Sequence, residues 1–334
     1  MLGVSVSIVI KALNEERNIA RAIESALRAV ARVGGEVILA DSASTDRTVE
    51  IASAYPILIV QLLDTSERCC GIGAQLGFQH AQGDFVYILD GDMEMHEGFL
   101  EQALACLATY PDVAGVGGII REKNTQSLEY QARAERAPAN LQPGQVDRLD
   151  MGGLYRREAI AQLGYLTDRN LHSYEEFDLG IRLRAAGWTL RRIPVDAIDH
   201  YGHTTDAIKL LWRRWKTRYI WGIGEVLRAS FGKPHMRLLV RELRDFYLAI
   251  AVLGWWASLL LLCFLPLAWK FKAILLVLDM LFPWLVMSVK KRSFVRGAYA
   301  ILTWCVSTAG LIRGVCMRRR APAERIDVKC IDAR

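Results

Sequence analysis

No two of the seven cysteines (Cys69, Cys70, Cys106, Cys263, Cys305, Cys316, Cys330) stand in a C-x-x-C spacing, and their number is odd. This argues against both a structural zinc site and a disulfide framework. The thiols read as reduced, in a cytosolic domain. The opening Met1-Leu2-Gly3-Val4-Ser5 lacks the basic region and long apolar core of a secretory leader. Internal repeats and low-complexity tracts are absent, so repeat and low-complexity classes drop out. A dinucleotide fingerprint is also missing. Gly71, Gly73 and Gly77 match G-x-G-x(3)-G, one residue off the required spacing, and they follow a loop rather than a strand. The net charge of +6 is modest but gathered: residues 207–244 hold ten Lys or Arg against Glu225 and Glu242. The 334 residues accommodate one catalytic domain of roughly 200 to 250 residues and an appendage.

What is present centres on residues 83–94, Gly-Asp-Phe-Val-Tyr-Ile-Leu-Asp-Gly-Asp-Met-Glu. Phe85 to Leu89 is too short for a helix and apolar enough for a buried parallel strand. It ends in Asp90 and Asp92, and in open α/β sheets ligands bind just beyond the carboxyl ends of strands. Two carboxylates so close repel unless a cation joins them. A divalent ion shared with a phosphate would resolve this; a solvated Asp-Gly-Asp turn is the competing reading.

Upstream, Val4 to Ile10 reads as a strand, followed by a helical pattern with apolar Ile19, Ala22, Ile23, Ala26, Leu27 and Val30, for which Asn14 is a candidate N-cap. Glu36 to Ala40 reads as a second strand, running into an Asp41-Ser42-Ala43-Ser44-Thr45-Asp46 loop, and Ile57 to Leu62 as a third. Strands alternating with helices, with polar loops after each strand, predict a doubly wound α/β sheet.

Three stretches together resemble family 2 glycosyltransferases. Ser7 to Glu16 (SIVIKALNEE) is similar to their opening motif, Asp41 to Asp46 to their D-x-x-S-T-D loop, and Gly83 to Asp92 to the strand and DXD motif of their GT-A fold. Downstream, Met151-Gly152-Gly153 resembles the glycine-bearing segment near the sugars. Ser173 to Leu183 resembles the E-D-x-D-L-x-x-R-L helix start, and His200-Tyr201-Gly202-His203 the H-x-x-G segment. The resemblance runs over roughly residues 5–205. Lys11 stands where proline is common, and Ser42 replaces an aspartate of the usual loop.

The resemblance implies a GT-A catalytic domain and a nucleotide-sugar donor. It implies Mn²⁺ or Mg²⁺ held by Asp92 and His200, with Asp90 on the ribose or a metal-bound water and His203 a weaker candidate. Ala12, Asn14, Glu15, Glu16, Asp41, Gln75, Asp90, Gly152 and Gly153 would line the donor. Glu176 would be the general base, accompanied by Glu175 and Asp178, with an acidic helix start as the alternative reading. Single displacement would invert the anomeric centre.

Beyond residue 205 the chain changes character. Trp212, Trp215 and Tyr219 share a helical face among Arg and Lys, which reads as an interfacial helix over residues 206–245 and not as a nucleic-acid reader. Leu211 replaces the glutamine of the Q-x-x-R-W motif, which counts against a processive polymerase. Phe246 to Trp269 is a 24-residue run without a charge, long enough to cross a bilayer of about 30 Å. Ala273 to Val289 and Gly297 to Ile312 are shorter apolar runs. The positive-inside rule favours two spans plus a tilted, re-entrant or interfacial third helix over three full spans, with the catalytic domain in the cytoplasm. The expected layout is a catalytic domain over residues 1–205, interfacial helices over 206–245, multi-pass inner-membrane helices over 246–316 and a basic tail over 317–334. The expected acceptor is a lipid-linked saccharide or polysaccharide. Transfer to polyprenyl phosphate is the alternative, and a nucleotide-binding regulator the rival from another class.

Overall fold

In the computed structural model, residues 5–124, 138–202 and 207–332 are described. The chain divides into two compact units, residues 1–210 with 319–334, and residues 211–318.

The first unit is built on a mixed sheet. Its strands, in chain order, are β1 (Val6–Ala12), β2 (Gly35–Asp41), β3 (Leu58–Leu62), β4 (Phe85–Asp90), β5 (Met93–Met95), β6 (Val113–Glu122), β7 (Gly144–Val146), β8 (Gly153–Arg156), β9 (Thr189–His200) and β10 (Val328–Asp332). They lie in the order β10-β3-β2-β1-β4-β8-β6-β9-β5, with β7 paired to β9. The parallel core β3-β2-β1-β4 follows the expected alternation of strand and helix, because strands buried on both faces must be apolar throughout. Successive residues of β1 point to opposite faces: Ile8 and Ile10 enter one apolar cluster, Val9 the other. The first cluster is covered by α1 (Ile19–Val33), α2 (Thr48–Ala52) and α4 (Phe99–Thr109). The second is covered by α3 (Cys70–His80), α5 (Arg157–Leu163) and α6 (Glu175–Ala185).

One local expectation changes. Asn14 does not cap α1; Asn18 occupies that position, and Asn14 sits at φ 59° with its side chain accepting from Thr45 N at 2.8 Å. The strand that leads into His200 spans twelve residues and pairs with β6, β5 and β7 along its length.

The largest correction concerns the last residues. The expected basic tail is an integral part of the sheet: Val328–Asp332 pairs antiparallel with Leu58–Leu62, and Ile326 is buried beside it. Leu63 N donates to Asp327 O at 3.2 Å, and Ile326 N donates to Gln79 Oε1 at 3.0 Å. An open edge on β3 would be a pairing liability, and β10 covers it.

The second unit contains the rest of α7 (Ala207–Lys216), a turn at Tyr219–Trp221, α8 (Gly222–Ser230), α9 (Met236–Glu242), α10 (Arg244–Phe264), α11 (Trp269–Lys291) and α12 (Phe294–Val315). The last three, of 21, 23 and 22 residues, are each long and apolar enough to cross a membrane. α10 and α11 pack as an antiparallel hairpin, with Ser258 Oγ donating to Asp279 Oδ2 at 2.7 Å and Trp255 Nε1 to Asp279 O at 3.0 Å.

The glycines of α3 have a packing role. A Cβ on Gly77 would lie 2.1 Å from Val9 Cγ1, so the helix can approach β1 only without a side chain there. Gly77→Ala is expected to destabilise the protein by about 1–3 kcal/mol through overpacking. Thermal unfolding of the purified protein measures this, and adding Val9→Ala should return part of the loss.

Candidate active site

The sheet brings the carboxyl ends of β1 and β4 side by side, with Lys11 in register with Asp90. Beyond them the chain reverses at Gly91, whose N donates to Lys11 O at 2.8 Å, and enters β5. There Met93 pairs with His200 at the end of β9, and Tyr201 N donates to Asp92 O at 3.0 Å. Asp92 and His200, 108 residues apart in sequence, are thereby brought together: Asp92 Oδ2 lies 3.4 Å from His200 Nε2. The other ring nitrogen, Nδ1, lies 2.7 Å from Glu122 Oε2. A carboxylate behind a histidine fixes the ring and its tautomer, the arrangement metal-ligating histidines favour. Burial works against a charged His200, but Asp92 and Glu122 outweigh it and push its pKa up to about 10.

A carboxylate oxygen and an imidazole nitrogen are a donor pair that would suit Mn²⁺ better than Mg²⁺. Among the described residues no three such ligands are gathered. Donor phosphate oxygens would fill the remaining positions, as is common for sugar nucleotides and divalent ions. His203 lies outside the described residues.

Lys11 was expected only as a replacement for proline, yet it occupies the centre of the acidic site. Its Nζ lies 2.8 Å from Asp90 Oδ1 and 3.8 Å from Glu175 Oε1. Burial acts to lower its pKa, but Asp90, Glu175 and Glu176 hold it well above the ordinary lysine value.

The two acids that open α6 are separated in role by their partners. Glu175 faces Lys11; burial raises its pKa, and Lys11 opposes the rise. Glu176 Oε2 accepts from Met151 N at 3.3 Å. Burial pushes Glu176 well above the usual carboxylate range; Lys11 opposes this, while Asp150, Glu175 and Asp90 add to it. Tyr174, before α6, and Met151 both have positive φ, at 68° and 63°, so the backbone turns sharply on both sides of this carboxylate. Gly152 follows at φ 102°, where a Cβ would stand 2.8 Å from Tyr87 Oη, and Gly153 pairs with Ile88, two residues before Asp90.

Asp178 is not at this site. It forms a buried i,i+4 ion pair with Arg182 at 2.7 Å, and Arg182 also donates to Tyr165 O and Leu166 O. Gln75 is likewise internal: its Oε1 accepts from Leu166 N and Thr167 N at 2.9 and 3.2 Å. Asp41 is buried at the end of β2, accepting from Ser44 N, Ser44 Oγ and Gln61 Nε2. Ala12 pairs with Asp41, and Glu15 N and Glu16 N donate to Thr48 and Asp46 of the following loop. Arg68 braces the same loop through Ser42 O and Ala43 O. These contacts tie the loop after β1 to the loop after β2.

Comparison with known proteins follows the same line. Residues 7–164 match the family model for glycosyl transferase family 2, and residues 152–311 that for glycosyl transferase family group 2. The chain is 26% identical over 230 residues to an N-acetylglucosaminyl-diphospho-decaprenol L-rhamnosyltransferase of Mycobacterium tuberculosis, covering 55% of this chain and 73% of the relative. It is 34% identical over 132 residues to an undecaprenyl-phosphate 4-deoxy-4-formamido-L-arabinose transferase of Pectobacterium carotovorum, covering 37% and 39%. The fold resembles the mannosyltransferase PcManGT of Pyrobaculum calidifontis, solved with GDP-Man and Mn²⁺, at TM-score 0.54 and 17% identity over 92% of this chain and 86% of that one. It also resembles S. aureus TarS with UDP-GlcNAc, at TM-score 0.50 and 15% identity over 70% and 73%.

The withdrawal of Asp178 from the site makes a testable distinction. Asp178→Asn leaves Arg182 buried without its counter-charge and is expected to cost about 3–5 kcal/mol of stability. Thermal unfolding should register that loss, while turnover per folded molecule stays within threefold of the parent.

Proposed function

From a chain that belongs to glycosyl transferase family 2, we propose an inverting, metal-dependent transfer of a sugar from a nucleoside-diphosphate donor to a lipid-linked saccharide at the cytoplasmic face of a membrane. The observation that carries the reading is the approach of Asp92 Oδ2 to His200 Nε2 at 3.4 Å, with Glu122 behind the ring at 2.7 Å. When bound, Mn²⁺ or Mg²⁺ would supply Lewis-acid stabilisation of charge on the departing diphosphate.

Everything else falls to the chain's own groups. Asp92 and His200 hold the cation. Gly152 and Gly153, where a Cβ would stand 2.8 Å from Tyr87 Oη and from Leu149 Cδ1, let their segment pack closely beside the end of the strand that carries Asp90. Glu176 takes the proton from the acceptor hydroxyl as its oxygen attacks the anomeric carbon. The bond to the diphosphate breaks on the opposite side, so configuration inverts. A buried carboxylate with a raised pKa is a stronger base than a solvated one once ionised, which suits it to this step.

Acceptor choice follows from the membrane helices and the relatives. The rhamnosyltransferase of M. tuberculosis is named for a diphospho-decaprenol acceptor. The P. carotovorum relative, named for undecaprenyl phosphate, supports direct transfer to polyprenyl phosphate as the second reading. Ten Lys or Arg over residues 207–244 would draw either anionic headgroup.

The strand β10 supports an even number of membrane crossings. The chain leaves the catalytic unit at residue 210 and returns to its sheet at 328–332, so three full spans would strand β10 on the wrong side. Contacts within the helical unit support α12 as the helix that does not cross. Its first residue lies three positions beyond Lys291, the end of the second hairpin arm. Its last turn meets segments that precede α10: Arg228 donates to Val315 O at 2.8 Å, and a Cβ on Gly314 would lie 2.1 Å from Trp221 O. Both ends of α12 therefore belong to the side from which α10 departs, where Lys290, Lys291 and Arg292 also satisfy the positive-inside rule. In this reading α10 and α11 cross, and α12 lies along the membrane surface.

Two measurements test these statements. Purified protein is expected to turn over one of UDP-, GDP- or dTDP-sugars with Mn²⁺, with inversion visible by NMR. Glu176→Gln should lower kcat at least 100-fold. Because the base must be ionised and its pKa is raised, kcat/KM should fall as pH drops through a limb well above the ordinary carboxylate range. Retention of configuration refutes single displacement. For topology, a cysteine at residue 266 in a background without native cysteines should react with an impermeant maleimide from outside intact cells. Cysteines at 293 and 330 should react only after lysis, and outside labelling at 330 excludes the even count.

A further inference from the structure

We propose that Arg192 is a positioning residue for the base Glu176, acting on it through the peptide that joins Asp150 to Met151. This rests on the base read above and deepens it.

Arg192 lies on β9 and is 1% exposed. Removing a guanidinium from water is costly, and a carboxylate usually offsets the cost. Among the described residues no carboxylate forms an ion pair with this one. All three of its nitrogens donate to main-chain carbonyls instead: Nε to Asn140 O at 2.9 Å, Nη1 to Gly118 O, and Nη2 to Asp150 O at 3.1 Å. The chain makes room for the group, since a Cβ on Gly117 would lie 3.2 Å from Arg192 Nη1. Side chains tie the same segments together. Asn140 Nδ2 donates to Asp150 Oδ2 at 2.7 Å, and Arg148 Nε reaches both Asp150 oxygens at 2.9 Å.

One peptide unit joins this clamp to the chemistry. The Asp150 carbonyl accepts from Arg192, and the Met151 N–H on the opposite edge of the same unit donates to Glu176 Oε2 at 3.3 Å. A peptide is planar, so holding the carbonyl also sets the direction of the N–H. A cation on the carbonyl polarises the unit and strengthens what the N–H donates. Met151 itself sits at φ 63°, a conformation that an unbraced chain seldom keeps. Other charged and titratable groups also act on Glu176. They are Lys11 on β1, Asp90 on β4, Arg148 and Asp150 before β8, Tyr155 on β8, and Glu175 beside it. Burial raises the Glu176 pKa, and Lys11 opposes the rise. Arg192 attracts Glu176 too, so its charge and the amide it anchors both favour the ionised base. Without Arg192 the carboxyl should ionise only at higher pH.

The test is Mn²⁺-supported hydrolysis of UDP-, GDP- and dTDP-sugars by full-length protein in detergent, followed across pH, with water standing in for the acceptor hydroxyl. Arg192→Lys keeps the charge, but one ammonium cannot hold three carbonyls. Its kcat per folded molecule should fall about tenfold or more, with the donor KM within about threefold of the parent. Arg192→Gln also loses the charge, so its kcat should fall further and the acid limb of kcat/KM should move up by about half a pH unit or more. Asp178→Asn is the control for instability, because it strips a buried arginine of its partner yet should keep both kcat and the limb. If Arg192→Gln does not fold, Arg192→Lys decides alone. Parental kcat in Arg192→Lys overturns the proposal, and so do equal losses in Arg192→Lys and Asp178→Asn. A folded Arg192→Gln whose limb stays in place overturns it as well. Glu176→Gln separates the two levels. If it loses kcat while Arg192→Lys does not, the Arg192 role alone fails. If Glu176→Gln keeps parental kcat, or wild type hydrolyses none of the sugars, the base is misassigned and Arg192 falls with it.

Discussion

Four carboxylates, Asp90, Asp92, Glu175 and Glu176, converge on one sheet edge, and their mutual repulsion governs the surrounding structure. Two like charges about 4 Å apart repel by roughly 4 kcal/mol at an effective dielectric constant of 20. No such cluster persists half-buried without cations. The chain supplies one directly, Lys11 beside Asp90 and Glu175, and a second at His200 between Asp92 and Glu122. Glu176 takes a backbone N–H from Met151, and Lys11 acts on it only through its charge. In the proposed reading the acids paired to cations serve binding and Glu176 serves proton transfer.

The repulsion also explains which acids moved away from the site. α6 begins with Glu175, Glu176 and Asp178 in its first turn, where the helix dipole favours negative charge. A helical turn of 3.6 residues cannot point all three the same way. Asp178 faces inward, and Arg182, one turn on, meets it there. Arg182 in turn holds the carbonyls of Tyr165 and Leu166, whose neighbouring amides are held by Gln75. Two residues read as site groups thus form the frame on which the loop before α6 is set.

Legibility followed the range of the interactions. β1, β2, β3 and β4 were readable because each is an apolar run closed by a polar loop. Resemblance singled out Asp90, Asp92 and His200, and the structure places Asp92 Oδ2 3.4 Å from His200 Nε2. Glu122 was not. It lies on β6, a strand whose core reads Val-Ala-Gly-Val-Gly-Gly, with too little apolar bulk to announce itself. Its partnership with His200 arises from the register of β6 with β9, over 78 residues of separation. Lys11 was visible as a departure from the usual proline, but its meaning needed the β1–β4 register to set it against Asp90. Asp178 misled for the opposite reason: a motif match fixes position in a helix start, not the direction of a side chain.

β10 ties these local matters to the chain as a whole. Leu58–Leu62 pairs with Val328–Asp332, so the outer strand is synthesised some 270 residues after its partner. The apolar helices come between them, and β3 presents an open edge until the last residues emerge. Such non-local pairing is slow to form because loop closure must precede its reward. The same tail is held to the catalytic unit by ion pairs: Arg319 pairs with buried Asp168, and Arg320 with Glu67 at 2.8 Å. Glu67 precedes Arg68, which braces the Asp41 loop. Asp168 belongs to the segment that leads into Glu175 and Glu176.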